Sequence, residues 1–356
     1  MSSPATSPAN GAIVGILANP MSGRDVRRLA ARASTTTPEI KRDQVARVAI
    51  GAIAGGATHL LVVKEPFRIS TSAVENLELD ARIEVLDIGA ELRAADSERA
   101  VAAMRDRGCD VLVVLGGDGT QRVVARCDPG MPLVPLSTGT NNVFPVSVEA
   151  TAAGIAAGLL ASGRIAAEDV IGASKCIHVE IDGEPADLAL IDAVLLVDDA
   201  VGNYMPFEPA RLRRLVLARA EPTAVGMSPI GGLLTPCSAS DDFGVEVTCS
   251  APGNGTRRLL APISPGLFRT VHVESARRIE LGEQVVVEGP GVLAFDGDRE
   301  RSLAVGQKAR LTVARHGPRV IDVDAALAAA ARAGVFVDLA HWHDGFDRAF
   351  GEQDCC

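Results

Sequence analysis

Three glycines and one aspartate within five residues carry the densest chemistry in this chain: Gly116-Gly117-Asp118-Gly119-Thr120. They follow DVLVVL (110–115), which is short, β-branched and apolar like a buried strand, and they precede QRVVAR, which permits a helix. Glycines at the carboxyl end of a parallel strand let the backbone come close to a ligand, and the turn's amides with the next helix amino terminus suit phosphate. Gly116, Gly117 and Gly119 would meet phosphates through their backbone, and Thr120 through its hydroxyl. A carboxylate repels phosphate. Asp118 therefore holds a bridging metal or takes a proton from an attacking hydroxyl, unless it is a plain N-cap of a tight turn.

Other polar loops fall at matching places. Asn19, Ser22 and Gly23 follow the first apolar run and suit phosphate or ribose contacts, or else an Asn-Pro turn with a Ser cap. Ser137, Thr138, Gly139, Thr140, Asn141 and Asn142 follow the fifth strand, at the sheet edge that carries Gly116–Thr120; they are either a nucleotide-recognising segment or a solvated loop. Asp296-Gly297 is a hairpin signal that can also face a cleft. Gly231 and Gly232 could let a substrate approach. His341, His343 and Asp344 could bind a metal, but the expectation for so terminal a segment is a solvated tail. No residue is assigned as a metal ligand. The chain lacks the P-loop, Gly-x-Gly-x-x-Gly and Gly-x-Ser-x-Gly patterns.

The elements that must position these residues form two halves. From 12 to 162 strand-like and helix-like segments alternate: strands at 12–18, 59–63, 82–88, 110–115 and 131–136, and helices at 92–107 and 149–161. A further helix-permissive stretch, 24–55, is broken near Pro38. This is the grammar of a parallel-sheet α/β domain. From 163 to 322 short alternating strands between turns (177–182, 244–249, 258–263, 270–274, 284–288, 309–314) predict an antiparallel β-sandwich, with one helix over 206–220. Residues 1–11 are a flexible leader. Residues 323–356 are a final helix (325–333) and a tail.

Composition excludes several classes. In 356 residues the net charge is -10 and aromatics are 3%, which argues against nucleic acid and anionic membranes. Seven cysteines with no Cys-x-x-Cys pair fit reduced thiols in a cytoplasmic protein, and no basic n-region marks a signal peptide.

The Gly116–Thr120 turn resembles the signature of the superfamily joining NAD kinases with diacylglycerol and sphingosine kinases. Asn19-Pro20-Met21-Ser22-Gly23 is similar to the lipid-kinase Asn-Pro-x-Ser-Gly loop, and Pro262-Ile263-Ser264-Pro265-Gly266-Leu267 to an NAD-kinase segment. Phe295-Asp296-Gly297-Asp298 resembles the late Asp-Gly hairpin of both branches. Leu136–Pro145, joined to Gly116–Thr120, is most similar to the NAD-kinase-like acetoin catabolism protein X group. The resemblance implies a cleft between an α/β domain and a β-sandwich, with the last helix returning to the first domain. It implies ATP with Mg²⁺, NAD as the substrate, and Asp118 as the base for the ribose 2′-hydroxyl. It also allows a homo-oligomer. Two features differ from NAD kinases: Asn141-Asn142 stands where they carry Asn-Glu or Asn-Asp, and Ser228–Gly232 where they carry Gly-Ser-Thr-Ala-Tyr. Three functions follow: an NAD kinase, a kinase for another small alcohol linked to acetoin, or a nucleotide sensor without turnover.

Overall fold

A computed structural model describes residues 11–23, 36–138, 142–203, 205–251 and 257–337. The first half runs β1 (Ile13–Ala18), α1 (Pro38–Ala54), β2 (His59–Lys64), α2 (Ile69–Val74), β3 (Arg82–Asp87), α3 (Ala94–Arg105), β4 (Val111–Gly116), α4 (Asp118–Cys127), β5 (Leu133–Ser137) and α5 (Ala150–Ala161). Pro38 opens α1 and does not break it: Thr37 caps the helix by accepting from the Ile40 amide, and proline suits a first-turn position whose N–H has no partner. Residues 24–35 lie outside the described residues.

These strands form a parallel sheet in the order β3-β2-β1-β4-β5. Both faces are covered, because alternate residues of one strand point to opposite sides. Val14 and Ile16 of β1 pack with α1 and α5, while Ile13 and Leu17 pack with α3 and α4. The closest helix contact is α1 on α5. A Cβ added at Gly51, Gly55, Gly154 or Gly158 would collide with backbone of the opposite helix, so these four glycines set the spacing of the pair.

The second half holds β6 (Ile171–Ala173), β7 (Cys176–Ile181), β8 (Asp187–Ala189), β9 (Asp192–Leu196), β10 (Leu212–Leu217), α6 (Ser228–Gly232), β11 (Phe243–Cys249), β12 (Arg257–Ser264), β13 (Leu267–Glu280), β14 (Gln284–Glu288), β15 (Gly291–Phe295), β16 (Asp298–Leu303), β17 (Lys308–Ala314), β18 (Arg319–Ile321) and α7 (Val323–Arg332). Seven strands make one sheet, β12-β13-β11-β10-β9-β15-β16, and four make another, β14-β17-β7-β8. Ala193, Leu195, Val216 and Phe295 of the first sheet share a core with Val179, Leu311 and Val313 of the second. The antiparallel sandwich expected for this region is present.

Two expectations change. The helix expected over 206–220 is a short 3-10 turn at Pro209–Arg211 followed by strand β10. Leu212–Leu217 pairs with both β9 and β11, and a central place in the ladder outweighs helical spacing in so short a run. In addition, β18 joins the first sheet beside β5, and β6 pairs with β18. Helix α7 then lays Ala326 and Ala330 into the core shared with α1 and α5. The first sheet therefore contains strands from both ends of the second half.

Candidate active site

The strand order fixes where a ligand can sit. The chain moves outward from β1 through β2 to β3 and then returns to β4 on the other side of β1. The loops after β1 and β4 therefore diverge and leave a crevice at the carboxyl edge. Asn19 and the Gly116–Thr120 turn flank it. The Asn19 amide donates to the Leu115 carbonyl (2.9 Å), and its side-chain Nδ2 donates to Thr120 Oγ1 (2.8 Å).

The β1 loop is held from below. Lys41 of α1 is fully buried, and its Nζ donates to the carbonyls of Asn19 (2.8 Å), Pro20 (2.9 Å) and Ser22 (2.6 Å). Nothing in the sequence marked Lys41, since a lone lysine in a helix is normally solvated. Ser22 Oγ lies 2.8 Å from Thr138 Oγ1, which joins this loop to the one after β5, and Gly23 takes a positive φ of 74°. Asn142 Nδ2 donates to Ser137 Oγ (2.9 Å). Gly139, Thr140 and Asn141 lie outside the described residues, as do His341, His343 and Asp344.

The three glycines of the turn are approached from three directions. A Cβ on Gly116 would meet Thr120 (2.6 Å), one on Gly117 would meet Asn142 Oδ1 (2.9 Å), and one on Gly119 would meet Asp298 Oδ2 (3.0 Å). Gly117 is the N-cap of α4, so Asp118 occupies the first helical position and not the cap. Its carboxylate instead accepts from the amides of Val143 (3.1 Å to each oxygen) and Phe144 (2.8 Å), fastening the β5 loop to α4. Burial, aided by the nearby charge of Asp296, pushes the Asp118 carboxyl up to about 7 against the pull of those amides and of Arg219.

The second half closes the site with the β15–β16 turn. Asp296 (φ 49°) and Gly297 (φ 88°) are both left-handed, as a two-residue hairpin turn requires. The Asp296 carboxylate accepts from the amides of Leu190, Ile191 and Asp192, the shortest at 2.7 Å. Burial raises its pKa, opposed first by the Arg122 guanidinium. The charge of Asp296 thus reaches Asp118 from the other half, and each carboxylate is steadied by backbone amides.

Two arginines complete the setting, and neither stood out in the sequence. Arg122, four residues after Asp118, is buried over the Phe295 ring; it pairs with Glu300 and Asp187 and donates to the Leu188 carbonyl. It ties α4 to the strands flanking the Asp296 turn. Arg219 stacks over Phe144 and donates to the Val143 carbonyl (3.1 Å). Its Nε is buried and finds no partner among the described residues, and burial lowers its pKa. Arg219 thus braces the Val143–Phe144 segment, whose amides donate to Asp118.

Gly231 and Gly232 play a different part from that expected. In α6 they pack against Leu217 and against the backbone of Glu221 and Pro222, so their missing side chains serve packing and not substrate approach. The Pro262–Leu267 segment forms the hairpin between β12 and β13. Among the described residues no group of three or more His, Cys, Asp or Glu is placed to hold a metal ion, and no helix is long and apolar enough to cross a membrane.

Residues 14–165 match the ATP-NAD kinase N-terminal domain, and residues 175–316 match the acetoin catabolism protein X C-terminal domain. A protein from Cupriavidus necator, acetoin catabolism protein X, is 34% identical over 333 residues, spanning 90% of this chain and 92% of the relative. The chain belongs to the acetoin catabolism protein X family. Among solved structures, yeast NADH kinase complexed with NADH is similar at a TM-score of 0.53 and 13% identity, covering 94% of this chain and 95% of the other. A diacylglycerol kinase from Bacillus anthracis gives 0.41 at 12% identity, covering 88% and 98%. The likeness to NADH kinase shows that the acetoin catabolism protein X fold is NAD kinase-like: a parallel-sheet α/β half, antiparallel sheets and a carboxy-terminal helix.

Proposed function

We propose that this protein is an ATP-dependent phosphotransferase of the NAD kinase type, moving the γ-phosphoryl of ATP to the ribose 2′-hydroxyl of NAD or to a similar hydroxyl, in the cytoplasm. The observation that carries this reading is the Asp118 carboxyl, raised to about 7 at the start of a helix and beside three side-chain-free residues. A base of that strength accepts a hydroxyl proton near neutral pH. The backbone of Gly116, Gly117 and Gly119 would lie against phosphate, and Thr120, Asn19, Ser22, Ser137, Thr138 and Asn142 would bind ribose or phosphate oxygens. Gly23 shapes the β1 loop, and Gly139, Thr140 and Asn141 would also bind the nucleotide. Asp296 and Gly297 would bound the cleft from the second half. Arg219 would offset negative charge on the transferred group. Mg²⁺ would arrive on the ATP phosphates and neutralise them; the protein's own residues align the acceptor and take its proton.

A second reading has an observation of its own. Asn142 lies next to Gly117, and it brings an amide where NAD kinases carry a carboxylate for the adenosine part of NAD, which favours an acceptor other than NAD. A small alcohol of acetoin catabolism is the candidate, and a nucleotide sensor without turnover is the limiting case. The test is thermal shift of wild type and Asp118→Ala with NAD, NADP, ATP and ADP, each with and without Mg²⁺, followed by assay of NADP formation. Stabilisation by NAD with NADP formed supports the first reading. Stabilisation by ATP alone supports the second, and no shift with any nucleotide overturns both.

A further inference from the structure

Lys175, in the link between β6 and β7, is fully buried, yet it faces a thiol and not a carboxylate. Its Nζ lies 3.1 Å from Cys237 Sγ and donates to the Phe243 carbonyl at 2.9 Å. The Cys237 thiol reaches the same carbonyl at 3.1 Å. Cys237 is itself 1% exposed, but Pro236 on one side and Ser238, Ala239 and Ser240 on the other are exposed, so a local opening of this loop would admit a small oxidant. Burial pushes the thiols of Cys109 and Cys249 up to about 12 and that of Cys176 to about 11.

We propose that Cys237 and Lys175 form a reversible, oxidant-induced sulfur–nitrogen cross-link. A hydroperoxide supplies the two-electron oxidation. Cys237 sulfur attacks one peroxide oxygen, the O–O bond breaks, and for hydrogen peroxide the products are a sulfenic acid and water. The Lys175 amine then attacks that sulfur, hydroxide leaves, and the departing group takes the amine proton to give a second water. Burial lowers the Lys175 pKa and so favours the neutral, nucleophilic amine. Two equivalents of an external thiol restore the free thiol and amine and are themselves oxidised to a disulfide. The bond would act close to the candidate site, since Cys237 and Ala220 exchange backbone hydrogen bonds of 2.8 Å and Ala220 follows Arg219.

The test treats the folded, full-length protein with hydrogen peroxide, alkylates remaining thiols after unfolding, and maps peptides by mass spectrometry. The expected product joins the Lys175 and Cys237 peptides, is lighter than their sum by two hydrogens, and disappears with dithiothreitol. It is absent from Cys237→Ser and Lys175→Arg, which assign the two atoms. The wild-type result decides by itself. Cys237 found alkylated, over-oxidised to a sulfinic acid, or joined to another cysteine, with Lys175 unlinked, overturns the proposal.

Discussion

At pH 7 Asp118 is poised between its two protonation states, and this has opposite consequences for stability and for chemistry. Its folded value of about 7 lies above the ordinary 3.8, so the folded state holds a proton that the unfolded chain releases. Stability from this group is therefore present at acid pH and is lost as pH rises toward 7. Asp118→Asn, which keeps an acceptor for the Val143 and Phe144 amides, is expected to raise the melting temperature at pH 8 and to lose that advantage at pH 4; unfolding scans at both values check it. If the carboxylate is the base, activity in wild type rises with pH through about 7, and Asp118→Asn lowers kcat by about 10²–10⁴-fold without that rise. A pH profile of the purified phosphotransferase activity reads this. Arg219→Met removes the guanidinium that donates to the Val143 carbonyl and is expected to weaken nucleotide binding by about tenfold or more, given ~1.5–3 kcal/mol for a charge-assisted hydrogen bond. Calorimetric titration with ATP checks it.

Helix α1 meets α5 through Gly51, Gly55, Gly154 and Gly158, four residues that disfavour helix when exposed. The presence of Gly51, Gly154 and Gly158 inside these helices, and of Gly55 at the carboxyl cap of α1, is explained by contact: the backbones approach closer than any side chain allows. Gly158→Val is expected to cost about 1–3 kcal/mol, through overpacking, and a lowered denaturation midpoint would show it. The Arg122 cluster works at the same scale. Arg122 and Asp187 are 2% and 3% exposed, so removing the guanidinium takes away the most buried partner of Asp187 and leaves that carboxylate to Arg301 at 3.1 Å. Arg122→Met is expected to destabilise by ~1.5–3 kcal/mol, the usual cost of losing hydrogen bonds to charged groups, and chemical denaturation measures it. These contacts explain what the sequence could show. Val111–Leu115 and Ala150–Ala161 were legible because strand and helix periods are local properties. Leu212–Leu217 was not, because its strand state comes from two neighbours far away in sequence.

For the whole molecule, the return of the chain to the first sheet matters most. With β18 beside β5 and α7 on α5, residues 11–165 alone would lack two strands and a covering helix. That fragment is expected to aggregate or unfold non-cooperatively, whereas the full chain melts in one cooperative transition in scanning calorimetry. By itself, the sequence determined the strand–helix alternation of the first half, the two-part α/β and antiparallel layout, and the glycine-aspartate turn after β4, because each depends on residue types and periods within a few positions. Only the tertiary structure decided that Asp118 is clamped by the β5 loop amides, that the charge of Asp296 reaches it from the other half, and that Lys41, Arg122 and Arg219 support the site. It also joined Lys175 to Cys237, 62 residues apart. The reason is physical: burial and pairing depend on which distant segments meet, and a sequence read locally contains neither the dielectric around a carboxylate nor the partner of a buried charge.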